Sequence, residues 1–85
     1  MRYFVYILYS ETANRYYKGQ TGDLIQRLAR HHAGREKSTA PYRPWKLIWY
    51  TEKPTRPAAM KLERYLKQLS GERIRLFILK YPKNE

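Results

Sequence analysis

The sequence predicts an α+β fold in which a three-stranded antiparallel sheet is flanked by helices, in the chain order β-β-α-β-α-α. Two strand-like segments joined by a turn open the chain, and three helix-like segments with one further strand follow them. No linker, repeat or low-complexity run interrupts the 85 residues. We therefore expect residues 1–85 to form a single small domain, which at this length buries only about 60–65% of its unfolded surface.

The first 21 residues predict a β-hairpin. Residues 3–9 (YFVYILY) are aromatic or aliphatic on both faces, which is typical of an internal strand covered on both sides. Turn-forming residues occupy positions 10–15, where Asn14 suits a left-handed backbone conformation. Residues 16–21 then return as the second strand of the hairpin.

The middle of the chain predicts a helix and a third strand. Asp23 can cap a helix over residues 23–33, and Gly34 suits the position just after its last turn. A polar loop over residues 35–44 separates this helix from a strand over residues 45–50 (WKLIWY). The apolar spacing of the helix makes His32 a core residue, because it assigns the inner face to Leu24, Ile25, Leu28, Ala29 and His32.

Two further segments complete the predicted fold. Thr55 caps a helix that tolerates Pro57 in its first turn, runs to about Leu69 and ends at Gly71. Residues 72–81 fit either a helix or a strand, and we favour the helix. The inner face of the first of these helices is assigned to Ala59, Leu62, Tyr65, Leu66 and Leu69.

The charge balance indicates a polyanionic partner. Lys and Arg number 18 against seven Asp and Glu, which gives a net charge of +11. A nucleic acid would relieve the resulting self-repulsion, and an anionic membrane or an acidic protein is a weaker alternative. The absence of cysteine excludes disulfides and thiolate-bound zinc and fits a cytoplasmic protein. No apolar run approaches the length of about 18 residues that a membrane span requires, and the N-terminus lacks the pattern of a signal peptide.

Few acidic residues are suited to binding a metal ion. Most of them fall in turns, loops or helix starts, whereas Glu63 lies in the middle of a predicted helix beside its inner face. One carboxylate can suffice for Mg²⁺, which keeps several waters and also binds substrate oxygens. The alternative is an ordinary i,i+4 ion pair between Glu63 and Lys67, worth about 0.3–0.5 kcal/mol.

Four other residues are suited to phosphodiester hydrolysis. Arg27 and His31 are four residues apart, so both lie on one side of the first helix, at the edge of its inner face. Tyr6 and Tyr17 lie on the two hairpin strands, where facing positions would bring their hydroxyls together. Each pair also has an ordinary interpretation, as solvated basic residues in the first case and as core aromatics in the second.

Taken together, these residues resemble the GIY-YIG nuclease family. Its first signature, Gly-Ile-Tyr, is similar to Val5-Tyr6-Ile7, and its second, Tyr-Ile-Gly, is similar to Tyr17-Lys18-Gly19. The family's arginine on the next helix matches Arg27, and the histidine or tyrosine that it usually places one turn later matches His31. Its metal-binding glutamate matches Glu63.

The resemblance covers nearly the whole chain. Residues 38–39 and 44–47 are also similar to the small stand-alone bacterial members, which are related to the N-terminal nuclease domain of the excision-repair incision protein. The sequence departs from the family pattern at three points. The first glycine is missing, and Gln20 stands where some relatives carry lysine. The asparagine that some members place after the glutamate is not found, since that region reads Glu72-Arg73-Ile74-Arg75.

The resemblance implies a metal-dependent endonuclease that hydrolyses phosphodiester bonds of DNA, in repair or processing. Glu63 would hold one Mg²⁺ or Mn²⁺ ion, and Arg27 would stabilise charge on the scissile phosphate. Tyr6 and Tyr17 would orient or deprotonate the attacking water, with His31 as a competing proton acceptor, and the choice among the three stays open. Contacts to the nucleic acid are expected from Lys18, Arg27, Arg30, Lys37, Arg43 and Lys46.

Sequence specificity is expected to be weak, because larger relatives carry separate DNA-recognition domains for which this chain has no room. Branched, flapped or damaged DNA, or a protein partner, would then supply the specificity, and RNA stays open as a substrate. The alternatives are a nucleic-acid-binding module that keeps the fold with little or no activity, and a structural partner subunit. The intact set of Tyr17, Arg27, His31 and Glu63 favours the nuclease, since a degenerate binder is expected to lose some of them.

Overall fold

The described chain forms a three-stranded antiparallel sheet and three helices. The structure, a computed structural model, describes residues 2–82. The predicted β-β-α-β-α-α order is confirmed, and the C-terminal segment is helical, as favoured. Among these residues, no helix is long and apolar enough to cross a membrane. The elements are β1 (Tyr3–Ser10), β2 (Arg15–Thr21), α1 (Leu24–Ala33), a 3-10 turn (Ala40–Tyr42), β3 (Lys46–Lys53), α2 (Arg56–Lys67) and α3 (Gly71–Lys80).

Strand β1 lies in the centre of the sheet, in the order β2-β1-β3, and pairs antiparallel with both neighbours. The hairpin turn that precedes β2 contains Asn14 at φ 51°, as the turn chemistry predicted. In the β1–β2 register, Tyr6 pairs with Gly19 and Leu8 pairs with Tyr17. Tyr6 and Tyr17 are therefore diagonal neighbours on one face of the sheet, not directly facing residues.

The alternation of side chains along β1 divides the core in two. Val5 and Ile7 are fully buried against α2 and α3, in a cluster with Trp49, Ala59, Leu66 and Ile74. On the other side, Tyr6 and Leu8 are fully buried with Trp45, and residues of α1 pack against them. We call these two sides of the sheet the α2 face and the α1 face.

Side-chain caps begin all three helices. Asp23 accepts a hydrogen bond from the amide of Gln26, and Gly34 ends α1 in the left-handed conformation at φ 76°, as predicted. Thr55 caps α2 as predicted. The prediction that Gly71 ends this helix was wrong, because α2 ends at Lys67 and Gly71 is the first residue of α3. Ser70 caps α3 by accepting from the amide of Arg73, and this cap starts a new helix at Gly71.

The predicted inner face of α1 was partly wrong. Ile25 is 83% exposed and His32 is also exposed, as is Ala29, whereas His31 is fully buried. The inner face follows the i, i+4, i+7 positions Leu24, Leu28 and His31, since His31 finds hydrogen-bond partners inside the protein. In α2, Tyr65 is 51% exposed and lies at the border of the buried stripe, not within it.

Candidate active site

A chain of buried polar side chains lies on the α1 face. The Tyr6 hydroxyl is 2.9 Å from Nε2 of His31, and Nδ1 of His31 is 2.9 Å from Oγ1 of Thr39. The Thr39 hydroxyl donates in turn to the backbone carbonyl of Glu36, at 3.3 Å. Tyr6, His31 and Thr39 have no exposed surface. We call these three residues and the Glu36 carbonyl the buried polar chain.

Tyr17 covers the buried polar chain on its open side. Its ring centroid is 5.0 Å from that of His31 and 6.2 Å from that of Tyr6, with tilted or edge-on geometry. Trp45 packs edge-on against Tyr17 and donates from Nε1 to the Thr39 carbonyl, at 2.8 Å. Among the three predicted proton acceptors, Tyr17 alone has exposed surface.

Gly19 provides the room for Tyr6. A Cβ placed on Gly19 would lie 2.6 Å from the Tyr6 hydroxyl oxygen, 2.7 Å from Cζ of the same ring and 3.0 Å from the ring of Tyr17. The glycine of the second signature is therefore required by the close approach of the Tyr6 ring to β2, not by an unusual backbone dihedral.

Burial sets the protonation of the Tyr6–His31 pair. Burial raises the pKa of Tyr6 above its ordinary value, Tyr17 adds to the rise, and the positive charge of Arg27 opposes it. Burial lowers the pKa of His31, and the negative charge of Glu36 opposes this only in part. Both rings are therefore neutral at neutral pH.

A carboxylate from the loop after α1 holds two arginines. Glu36 Oε2 lies 2.8 Å from Nε of Arg30 and 3.8 Å from Nε of Arg27. The hydrogen bond from Arg30 is the main cause that lowers the pKa of the Glu36 carboxyl. Arg27 thus lies between the Glu36 carboxylate and the Tyr6 hydroxyl, with its side chain 35% exposed and able to receive an anion.

Glu63 lies apart from the buried polar chain, on α2 and therefore beside the opposite face of the sheet. Its carboxylate pairs with Lys67 at 3.5 Å and is 21% exposed, so the ion pair considered from the sequence is present. Within residues 2–82, no three His, Cys, Asp or Glu side chains cluster as a metal site would require. The buried Oε1 of Gln20 points to the same face and has no hydrogen-bond partner. The Glu63 carboxylate and the Gln20 amide oxygen lie on one face of the sheet and are ligand types that suit Mg²⁺ or Mn²⁺. These two groups would leave most coordination positions of the ion to water and substrate.

Comparison with known proteins decides the family. The family model described as the GIY-YIG catalytic domain matches residues 2–75. The chain belongs to the GIY-YIG family. Its fold is also that of a solved relative, the UPF0213 protein of Bacillus halodurans determined by NMR. That structure superposes with a TM-score of 0.63 at 28% identity, covering 95% of this chain and 86% of the other.

Two relatives of this chain are small proteins of similar length. A UPF0213 protein of Listeria monocytogenes serotype 4b is 37% identical over 84 residues, which cover 98% of this chain and 93% of the relative. A UPF0213 protein of Listeria innocua is 42% identical over 69 residues, covering 80% and 76% respectively. The GIY-YIG domain indicates a nuclease, and nucleases of this family are generally dependent on a divalent metal.

The six basic residues expected to contact nucleic acid are spread over several places in this GIY-YIG domain. Lys18 lies beside α2, where burial and the charge of Lys67 lower its pKa. Arg27 and Arg30 lie on α1 and share Glu36, whereas Lys37 is an exposed loop residue. The remaining two have structural partners in the region described, as Arg43 donates to the carbonyls of Ala40 and His32, and Lys46 pairs with Glu11 at 3.3 Å.

Sequence reasoning gave no role in the site to Thr39 and Glu36. Both lie in a polar loop, where neither hydropathy nor spacing distinguishes them from their neighbours. Only the fold brings this loop against His31, eight residues before Thr39 in the chain. The signal available from the sequence was the similarity of residues 38–39 to the small stand-alone family members, which pointed to this loop without assigning Thr39 a role.

Proposed function

We propose that this protein is a divalent-metal-dependent endonuclease that hydrolyses phosphodiester bonds in DNA. The observation that carries this proposal is the position of Arg27. Its side chain is part-exposed, its charge acts on the Tyr6 hydroxyl, and its Nε lies 3.8 Å from the Glu36 carboxylate. A planar donor held in this way can form a bidentate contact with a phosphate as charge develops on it.

The open edge of β2 is the place where residues of both faces can meet one substrate. Strand β2 pairs with β1 alone, so its other side is free among the described elements. Tyr17 on this strand and Arg27 on α1 belong to the α1 face, and Lys18 and Glu63 belong to the α2 face. We propose that the scissile phosphate lies along this edge, between the two groups of residues.

The residues then have separate roles. Tyr17 is the residue that can touch the attacking water, since Tyr6 and His31 are fully buried. The buried side chains of Tyr6 and His31 hold Arg27 and Tyr17 in position from the protein interior. Arg27 stabilises negative charge on the phosphate. When bound at Glu63, an Mg²⁺ or Mn²⁺ ion supplies Lewis-acid charge to the phosphate oxygens.

The net charge supports a nucleic-acid substrate without identifying a sequence. The charge of +11 is spread over the strands, helices and loops, and phosphate contacts of this kind give affinity but little sequence information. We propose branched, flapped or damaged DNA as the substrate, in repair or processing in the cytoplasm, with a protein partner as a further source of specificity. RNA of the same shapes is the competing substrate.

The test is cleavage of a matched panel of labelled substrates. Flapped, branched, nicked and linear DNAs and their RNA counterparts are incubated with purified protein in Mg²⁺ or Mn²⁺, and in excess chelator as the control. We expect metal-dependent cleavage of at least one DNA shape, and loss of cleavage in the chelator. Binding without cleavage of any substrate would instead support a nucleic-acid-binding module that keeps the nuclease fold.

A further inference from the structure

The hydrogen-bond direction in the buried polar chain can be read from its Thr39 end. A backbone carbonyl can only accept, so the Thr39 hydroxyl that bonds to the Glu36 carbonyl uses its hydrogen there. The same oxygen lies 2.9 Å from Nδ1 of His31 and must accept from it. Nδ1 therefore carries the hydrogen of the neutral imidazole, and Nε2 is an acceptor.

The hydrogen-bond direction at Tyr6 follows from that at Thr39. Because Nε2 of His31 is an acceptor, the hydroxyl hydrogen of Tyr6 points to it, at 2.9 Å. The Tyr6 oxygen then keeps its lone pairs for Arg27, whose guanidinium can only donate and whose charge opposes the rise in the pKa of Tyr6. Donors thus run in one direction from Tyr6 through His31 and Thr39 to the Glu36 carbonyl.

We propose that Thr39 is a positioning residue of the nuclease site, which locks His31 in the Nδ1–H tautomer and thereby keeps the Tyr6 oxygen free to accept from Arg27. Thr39 is itself held from two sides. Its backbone carbonyl accepts from Trp45 at 2.8 Å, and its amide donates to the Glu36 carbonyl at 3.1 Å. The Glu36 carboxylate also pairs with Arg27. Glu36 therefore contacts Thr39 through its backbone carbonyl and Arg27 through its side chain.

The opposite tautomer of His31 leaves the hydroxyl hydrogen of Tyr6 without an acceptor. If His31 carried its hydrogen on Nε2, it would donate to the Tyr6 oxygen and compete there with Arg27. The Tyr6 hydrogen would then need another acceptor in a place without exposed surface, and leaving a buried donor unpaired is costly. Thr39 therefore acts on Arg27 through two intervening side chains, without touching the substrate.

The first test is the tautomer of His31 in the wild-type protein, without DNA or metal. Long-range ¹H–¹⁵N spectra of the imidazoles distinguish protonated from unprotonated ring nitrogens, and the chain has only two histidines. His32, with an exposed ring, is the internal reference. We expect His31 to carry its hydrogen on Nδ1. An Nε2–H form of His31 would overturn the proposal without the need for any variant.

The second test compares Thr39→Ser with Thr39→Val. Serine keeps the hydroxyl, whereas valine keeps the shape and removes it. We expect Thr39→Ser to keep the tautomer and the cleavage rate, and Thr39→Val to lose the Nδ1–H form. Thr39→Val should also lower the single-turnover rate at saturating protein by at least about tenfold, with the dissociation constant for DNA unchanged.

The outcomes separate this inference from the proposed function on which it rests. A folded Thr39→Val protein that cleaves at the wild-type rate overturns the positioning role. A rate lost equally in Thr39→Ser and Thr39→Val also overturns it, because the hydroxyl would then be irrelevant. If the wild-type protein has the expected tautomer but cleaves no nucleic acid, the proposed function fails, and the assignment of hydrogen-bond direction still stands on the spectra.

Discussion

Tyr6 and Gly19 pair across β1 and β2 so closely that a Cβ at Gly19 would lie 2.6 Å from the Tyr6 hydroxyl oxygen. The contact joins the two strands that carry the family's signatures, because the tyrosine of the first rests on the glycine of the second. The Tyr6 ring cannot move aside freely, since its hydroxyl is bound to His31 and it has no exposed surface.

We therefore predict that Gly19→Ala destabilises the protein by about 1–3 kcal/mol, as overpacking of a filled core does. Gly22→Ala is the matched control, because a Cβ there has no neighbour within 4 Å. Urea unfolding of both variants measures the free energies of unfolding. Equal stabilities for the two variants would show that the Tyr6 ring shifts without cost, and the contact would then not explain the glycine.

The burial of His31 predicts acid sensitivity of the fold. Its pKa in the folded protein is lowered by burial, so the unfolded state binds the proton more readily. Stability is complete above the ordinary histidine pKa of about 6.5 and falls as the pH drops from there toward the lowered value. The lowered pKa of Glu36 acts in the same direction only at lower pH, below the ordinary glutamate value.

Urea midpoints measured between pH 8 and pH 5 test this prediction. The wild-type protein and His32→Gln should lose stability in parallel as the pH falls, because His32 is exposed. His31→Gln should be less stable at pH 8 and should show a flatter pH dependence. A wild-type slope that persists in His31→Gln would assign the acid sensitivity to other groups.

The fold was more predictable than the site, for a physical reason. Caps and turns depend on local chemistry, so Asp23, Gly34 and Asn14 were correctly interpreted from the sequence alone. The inner face of α1 was not, because Ile25 and His31 were judged by hydropathy. A buried histidine is stabilised by partners such as Thr39 that come from a distant loop, and no local pattern records them.

The residues of the candidate site were likewise predictable only in part. Arg27 and His31 were found by their helical spacing and by resemblance, and the structure brings both to the α1 face beside Tyr6 and Tyr17. Glu63 was selected in the same way, but the sheet separates it from them. Spacing along one helix cannot reveal on which side of a sheet a second helix packs, since that depends on the whole topology.

Glu36 is expected to compete with nucleic acid for Arg27 and Arg30, because its carboxylate lies between them as a phosphate would. We predict that Glu36→Gln tightens DNA binding and steepens the slope of log K against log salt by about 0.9 for each phosphate gained. Glu52→Gln is the control with the same change in net charge, since Glu52 pairs with Arg2 at 3.0 Å. Equal effects of the two variants in binding titrations would reduce the role of Glu36 to its charge alone.

Glu63→Gln separates metal binding from the ion pair with Lys67. Glutamine keeps the size of the side chain but is a much weaker ligand for Mg²⁺ than a carboxylate. We predict loss of cleavage in Glu63→Gln with the fold and DNA affinity retained. Lys67→Gln breaks the same 3.5 Å ion pair and should cost only about 0.3–0.5 kcal/mol of stability, with cleavage retained. Full Mg²⁺-dependent activity in Glu63→Gln would contradict the assignment of Glu63 as the metal ligand.

Arg27 and Arg30 provide the sharpest comparison, because both lie on α1 and both pair with Glu36, but of the two only Arg27 acts on the pKa of Tyr6. Arg30→Ala should weaken DNA binding modestly and reduce the salt slope by about one, as the loss of a phosphate contact does. Arg27→Ala should instead lower the single-turnover rate by about 10²-fold or more at saturating protein, because its guanidinium acts on charge that develops in the transition state.

Arg27→Lys extends this test. An ammonium keeps the charge but cannot donate to Tyr6 and clasp a phosphate with one planar group, so we expect it to recover little of the lost rate. Single-turnover rates and dissociation constants measured for all three variants on one DNA substrate decide the matter. If Arg27→Ala and Arg30→Ala lose rate and affinity to the same extent, Arg27 is an ordinary phosphate contact. The buried polar chain beneath it would then stabilise the fold rather than the transition state.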